Sequence, residues 1–298
     1  MQQLPAVIID GLLYASWMFI IAVGLTLIYG VMKILNVAHG SLYALGAYTA
    51  ATFAGFWLAH GHAAFGSYGV LLIAALAVGL ISGPLIERGL LRFMYGREEI
   101  VLVLVTYALF LILEDLIKLV FGVDPILVAA PYALLGNLEM GHLIYPVYSL
   151  VLVAASIVVG GCMAVVLTRT RRGKMLRAVI HDQEMSMALG INVRRVYLVT
   201  FTVGAMLAAL GGAITAPTTS VQPGMGAEVI VLAFAIVVIG GLGSLGGAAL
   251  GAVIVGLVRS AAVHYQPEVE LFSVYVVMAL VLIVRPKGLF AAPEARKI

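Results

Sequence analysis

Charge is scarce in this chain: Asp, Glu, Lys and Arg together make up 10% of its 298 residues, where soluble domains carry roughly a quarter. With 63% apolar residues and a mean hydropathy of +1.14, that scarcity excludes a soluble globular domain. An all-α polytopic membrane protein is expected instead, because helices satisfy their own backbone in lipid. Cysteine is nearly absent. Cys162 stands alone in an apolar run, so no disulfide framework and no metal-binding set is expected. The net charge of +3 is small and segregated along the chain, which argues against a nucleic-acid partner. No Gly-Lys-Ser/Thr follows the glycine-rich run at Ile239, so a phosphate-binding loop is missing. If ATP and Mg drive this protein, other subunits bind them, and no cofactor is expected in this chain. No serine, histidine and acid arrangement and no paired buried carboxylates suggest catalysis, so the chain is not expected to be an enzyme. The apolar stretch after Pro5 is too long for a signal-peptide core and lacks a processing site.

What is abundant is apolar sequence in long runs. At roughly 20 residues per span, about nine segments (eight to ten) are expected, some short or broken. They lie near 6–31, 37–59, 69–86, 100–121, 146–168, 197–216, 227–242, 245–263 and 270–284. The run 169–195 holds seven basic residues, Arg169, Arg171, Arg172, Lys174, Arg177, Arg194 and Arg195, against Asp182 and Glu184. By the positive-inside rule it is a cytoplasmic loop. Alternation then puts Lys33, Arg88, Arg92 and Arg97 inside, with Arg285, Lys287, Arg296 and Lys297 in the tail. Fifteen of the 17 basic residues fall on that side, the amino terminus is outside and the carboxyl terminus cytoplasmic. The loop 122–145 carries no basic residue and belongs outside. Lys118 and Arg259 are the exceptions, expected to snorkel from outer ends of spans.

Three places carry polar or small residues in patterns. In the second span and its approach, Asn36, His39, Ser41, Tyr43 and Tyr48 need partners inside the bundle or a water-filled path. Gly40 beside His39 permits an unwound helix of the kind that exposes backbone to a solute. Two readings stand: these residues line a translocation path, or Asn36 and His39 are structural groups closing helix ends at the cytoplasmic interface. In the fourth span, Glu114 and Lys118 are spaced to neutralise each other one turn apart. Asp115 is left over, near an outer vestibule or an interfacial pair. Gly243, Gly247 and Gly251 recur every four residues beside Ser244, Ala248, Ala252 and Gly256, a stripe read as helix packing.

The 169–195 loop also has helical texture. Leu176, Val179, Ile180 and Met187 share one face, with Gln183 as a polar interruption, and Arg177, His181 and Glu184 share the other. Asp182 is placed to cap a new turn, and Gly190 to end it in the left-handed conformation. One helix or two is left open. The plain alternative is a solvated loop whose arginines fix topology and touch membrane lipid.

Asp182-Gln-Glu-Met-Ser followed by Gly190-Ile-Asn resembles the cytoplasmic coupling loop of ABC-importer permeases, with Met185 and Ser186 where that family carries alanines. Further runs extend the likeness: Gly24-Leu-Thr-Leu-Ile-Tyr-Gly, Ile34-Leu-Asn-Val-Ala-His-Gly-Ser-Leu-Tyr, Arg172-Gly-Lys, Ile239-Gly-Gly-Leu-Gly-Ser and Arg285-Pro-Lys-Gly-Leu-Phe. Over residues 8 to 290 the chain resembles branched-chain amino-acid ABC-importer permeases of the LivH type. That resemblance implies one permease domain, residues 1–298, in a bacterial or archaeal inner membrane. It implies a second homologous permease subunit, two cytoplasmic ATPase subunits and an extracytoplasmic binding protein. Coupling would pass through Arg177, Asp182, Glu184 and Gly190, and solute would move by alternating access. Urea and short-amide importers use similar permeases. An ion-coupled secondary transporter is the rival class, and acids gathered at segment ends argue against it.

Overall fold

The computed structural model describes residues 3–140 and 143–290; Arg296 and Lys297, placed inside from the sequence, lie outside the described residues. Twelve α-helices form among the described residues: α1 (Leu4–Met32), α2 (His39–Ala59), α3 (Ser67–Gly89), α4 (Glu99–Phe121), α5 (Ala130–Ala133), α6 (Val147–Arg169), α7 (Arg171–His181), α8 (Gln183–Ala188), α9 (Val193–Thr215), α10 (Met225–Gly240), α11 (Leu245–Tyr265) and α12 (Glu270–Val284). Each of the nine expected spans falls on one of them. Seven are long and apolar enough to cross a membrane, and the helical segments Met225–Gly240 and Phe272–Val284 are shorter. The 16 residues of α10 extend about 24 Å, less than the roughly 30 Å of a hydrocarbon core. The segment 122–145 adds the turn α5 and an antiparallel hairpin of β1 (Asn137–Met140) and β2 (Leu143–Pro146), a departure from a purely helical chain.

α1 is apolar on nearly every side, the pattern of a buried helix; Leu4, Ile8 and Leu12 near its start are exposed, and burial becomes nearly continuous from Ala15 onward. Met18, Ile20, Ile21, Ala22 and Ile28 are fully buried. Small residues set how closely its neighbours approach. A Cβ on Gly24 would sit 2.9 Å from the Gly204 carbonyl of α9, and one on Gly30 would sit 3.3 Å from the Gly243 Cα. Gly11, near the other end of α1, lies against Leu257 of α11, so α1 and α11 run antiparallel. Lipid offers helices no hydrophobic contrast, so close backbone packing of this kind is what holds them together.

The glycine stripe divides between partners. Side chains at Gly247 and Gly251 would overlap the carbonyls of Gly240 and Ile236 in α10, whereas one at Gly256 would meet Gly11 and Ala15 in α1. Gly243 stands apart from the expected helical row: it lies in the turn before α11 at φ 81°, against Gly30. The Arg285–Phe290 run closes on α10, where Leu289 and Phe290 donate to the carbonyls of Ile239 and Gly240 at 2.9 Å, satisfying groups the helix end leaves open. Arg259 does not snorkel free. It pairs with Glu270 at the head of α12 and lies 4.1 Å over the Tyr14 ring.

Candidate functional site

α1 ends at Lys33, a non-glycine residue at φ 56°, and the chain turns back into the bundle without helix until His39. The depth of that return is fixed by one contact. His39 Nε2–H donates to the Ile21 carbonyl at 3.0 Å, eleven residues before Met32 along α1, or about 16 Å. His39, the first residue of α2, and Asn36 before it are therefore buried in the interior of the bundle. Irregular backbone at such depth must be satisfied by protein. Thr106 of α4 does this: its Oγ1 donates to the Leu35 carbonyl at 3.1 Å and accepts from Val37 N–H at 3.3 Å. Ser41 Oγ donates to the Phe110 carbonyl at 3.1 Å, and the Tyr43 hydroxyl shares a 2.8 Å hydrogen bond with Thr215 Oγ1.

Opposite this break is a second one. α10 begins at Met225 beside Gly40, and a Cβ on Gly226 would lie 2.7 Å from the Gly40 carbonyl and 2.6 Å from Glu114 Oε1. Glu114 Oε2 accepts from Gly224 N–H at 3.3 Å, placing a carboxylate on the helix start, where orphan N–H groups and the macrodipole favour negative charge. The expected Glu114–Lys118 pair is therefore wrong. Lys118 pairs with Asp115 at 3.0 Å on the exposed side, and Glu114, a hundred-degree step away on the helix, turns inward and is buried. It is also seven residues inside the end of α4, so the acids do not all gather at segment ends.

On the elements that meet at the Gly40–Gly226 contact, several buried polar atoms have no hydrogen-bond partner among the described residues: Asn36 Oδ1 and Nδ2, His39 Nδ1, the Tyr48 hydroxyl and Glu114 Oε1. Leaving such a group unmet costs about 1–3 kcal/mol. These atoms keep hydrogen-bonding capacity that the described residues do not use. Of the five residues expected along a path, Ser41 and Tyr43 are already satisfied by the protein, while Asn36, His39 and Tyr48 keep unused capacity. Glu114, Thr106 and Thr215 join them only in the fold. The one sequence signal for Glu114 was its position inside a span.

The second site is the 169–195 segment, which forms two helices. Thr170 Oγ1 accepts from Gly173 N–H at 3.0 Å to start α7. Asp182 Oδ1 accepts from Met185 N–H at 2.9 Å to start α8. α8 ends in a Schellman motif, with Ile191 N–H to the Ser186 carbonyl and Gly190 N–H to the Met187 carbonyl, each 3.0 Å, and Gly190 at φ 85°. The break at Asp182 reorients the faces. Val179 stays buried, but Met187 does not continue its face and is exposed, together with Met185 and Leu189. Arg177, His181 and Glu184 are exposed, while Ser186 is buried. Arg177 donates to the Thr168 carbonyl at 3.4 Å.

A connection that the sequence did not reveal runs from α8 into the bundle. Tyr197 donates to Gln183 Oε1 at 3.0 Å and packs edge-on against Tyr95, which donates to Glu87 Oε1 at 2.5 Å. Burial first, and the Glu87 carboxylate second, push the Tyr95 phenol well above its usual range. Gln183, read as an interruption, is the tie between α8 and α9.

Two cavities, of about 840 Å³ and about 510 Å³, open at this end of the bundle, and none of the five expected path residues lines either. Among the described residues no cluster of three or more His, Cys, Asp or Glu is placed to hold a metal.

Residues 7–284 match the family model described as branched-chain amino acid transport system / permease component. The permease protein BraD of Pseudomonas aeruginosa, named for high-affinity branched-chain amino acid transport, is 29% identical over 310 residues, covering 100% of this chain and 98% of its own. LivH of Escherichia coli is 29% identical over 301 residues, covering 97% and 96%. A probable LivH of Methanocaldococcus jannaschii is 25% identical, covering 95% and 91%. A chain of the solved structure titled PsaBC from Streptococcus pneumoniae in complex with Fab superposes with a TM-score of 0.48 at 12% identity, over 97% of this chain and 92% of that one.

Proposed function

This chain belongs to the family of branched-chain amino acid transport system permease components and is a multi-pass permease subunit of an ABC importer, and we propose that it carries branched-chain or similar hydrophobic amino acids across the inner membrane. The chain works as one permease domain, residues 1–298, with nine membrane segments counting the two short ones. Its amino terminus is outside and its carboxyl terminus cytoplasmic. Its partners are a second homologous permease subunit, two ATPase subunits that bind and hydrolyse ATP, and an extracytoplasmic binding protein.

The observation that carries this reading is full-length similarity to branched-chain amino acid permeases, joined to the form of α7 and α8. α8 offers Glu184, Met185, Met187 and Leu189 on its exposed side. A small charged and apolar surface of this kind suits a groove on an ATPase subunit. Arg177 and the capping residues Asp182 and Gly190 hold it in shape, and the Gln183–Tyr197–Tyr95–Glu87 contacts offer a route for its displacement to reach α9 and α3. In the interior, Asn36, His39, Ser41, Tyr43 and Tyr48 border the path, with Glu114 beside them. Two helix starts meeting there could present polar groups to a solute, as the broken helices of transporters do, and alternating access would open that meeting point to each side in turn.

The test is uptake into proteoliposomes holding this chain with its partner permease, ATPase subunits and loaded binding protein. ATP-dependent accumulation of leucine, isoleucine or valine is expected. Accumulation of urea or short amides instead would reassign the substrate, and uptake driven by an ion gradient without the ATPase subunits would overturn the importer reading.

A further inference from the structure

Of the residues that line the 840 Å³ cavity, the transport reading uses only Leu189 and Gly190. The cavity is lined by residues of α6 and α9, with Leu27 of α1, Met175 of α7 and residues 189–192 after α8. Its walls are apolar: Met163 and Val166 on one side, Val199 and Val203 on the other. From Arg195 at the mouth to Val203 at the deep end is eight residues of α9, or about 12 Å along its axis. The mouth has a different chemistry. Arg172 and Arg195 both line it, with Asn192 between α8 and α9, and no acid is among the lining residues. Neither arginine makes an ion pair among the described residues. The neighbouring 510 Å³ cavity shares Arg195 and Asn192 and adds Arg88, Arg92 and Arg194 against one acid, Glu87, so basic residues outnumber acids around the mouth.

We propose that this groove is a binding site for an anionic phospholipid, with one acyl chain lying between α6 and α9 and the phosphate held by Arg172 and Arg195. Beyond the mouth the lining is apolar apart from Thr200, whose hydroxyl has no hydrogen-bond partner among the described residues, so a polar solute would find few partners there. The depth lies among membrane-spanning residues and the arginines lie at helix ends, the level at which headgroups sit. Guanidinium groups recognise phosphate through paired N–H donors, and basic pockets between spans at the membrane boundary select anionic headgroups. Val166 and Val199 are 43% and 49% exposed, so the groove opens sideways, toward lipid, as entry of an acyl chain requires. The site would tie the packing of α6 against α9 to membrane composition. It rests on the membrane placement of this end of the bundle and not on the identity of the transported solute.

The experiment uses the assembled transporter in nanodiscs of dioleoylphosphatidylcholine with a tenth dioleoylphosphatidylglycerol. Lipid retained through extraction is read by native mass spectrometry. The parent is expected to hold the anionic phosphatidylglycerol selectively. Replacing both arginines, Arg172→Gln with Arg195→Gln, should cut that retention on the order of tenfold or more, since each basic residue near a headgroup contributes separately. Val199→Trp fills the groove while leaving both arginines, and should lower retention of either lipid. Equal retention by the parent and both variants would overturn the site. So would efficient cross-linking of a Met175→Cys variant to a partner subunit with no selective lipid retained, which would assign the groove to a protein contact. Lost transport with lipid retention intact in these variants would overturn the lipid site and leave the coupling role of the loop standing.

Discussion

α8 is six residues long, too short to persist on helix propensity, so its two ends decide whether it is ordered. Asp182 accepts from Met185 N–H at one end, and replacing such a cap by alanine costs about 1 kcal/mol. Gly190 closes the other end at φ 85°, where an L-residue costs about 1 kcal/mol or more. A Cβ added there meets nothing within 4 Å, so the penalty is backbone strain without any overlap. Together, Asp182→Ala and Gly190→Ala should destabilise α8 by about 2 kcal/mol, a shift of about 30-fold toward the unwound segment. The bundle should not notice, because Ser186 is the only buried residue within α8. The double variant is therefore expected in the membrane at normal yield and with unchanged thermal stability. Amide exchange over residues 183–190 should accelerate by about the same 30-fold. Transport and the ATPase activity stimulated by loaded binding protein should fall together in proteoliposomes. If exchange accelerates while both activities stay normal, α8 does not couple this protein to its ATPase subunits. Loss of transport with full ATPase stimulation would move these residues from coupling to gating.

Three further outcomes are expected. Glu114→Ala leaves Gly224 N–H unmet at the start of α10 and should lower stability by about 1–3 kcal/mol; Glu114→Gln keeps an acceptor and should recover most of it, and equal melting temperatures for the two would refute the bond. Gly247→Leu drives a side chain into the Gly240 carbonyl and should abolish assembly of the complex, whereas normal yield by size-exclusion chromatography would show that face open to lipid. In a Cys162→Ser background, which removes the exposed native thiol, cysteines at Gly136 and Lys174 should react with an impermeant maleimide from opposite sides of the membrane, Gly136 from outside; same-side labelling would overturn the proposed topology.

Composition and periodicity alone determined the membrane class, the helical character of the long apolar segments and the two cap signals at Asp182 and Gly190. Those properties are local: an apolar run or an N-cap acts on residues a few positions away, so order along the chain suffices to read them. The family was legible for a related reason, since its motifs are contiguous. What depends on distant partners was not. The depth of His39 is set by a carbonyl eighteen residues earlier. The inward turn of Glu114 is set by Gly224 N–H, 110 residues away, and spacing within α4 could not choose between Lys118 and that partner. The glycine stripe marked close packing, but only the tertiary structure assigned Gly247 to α10 and Gly256 to α1. The Gln183–Tyr197–Tyr95–Glu87 contacts and the arginine-rimmed groove have no signature in one dimension, because each is assembled from helices whose relative placement comes from backbone packing across the bundle.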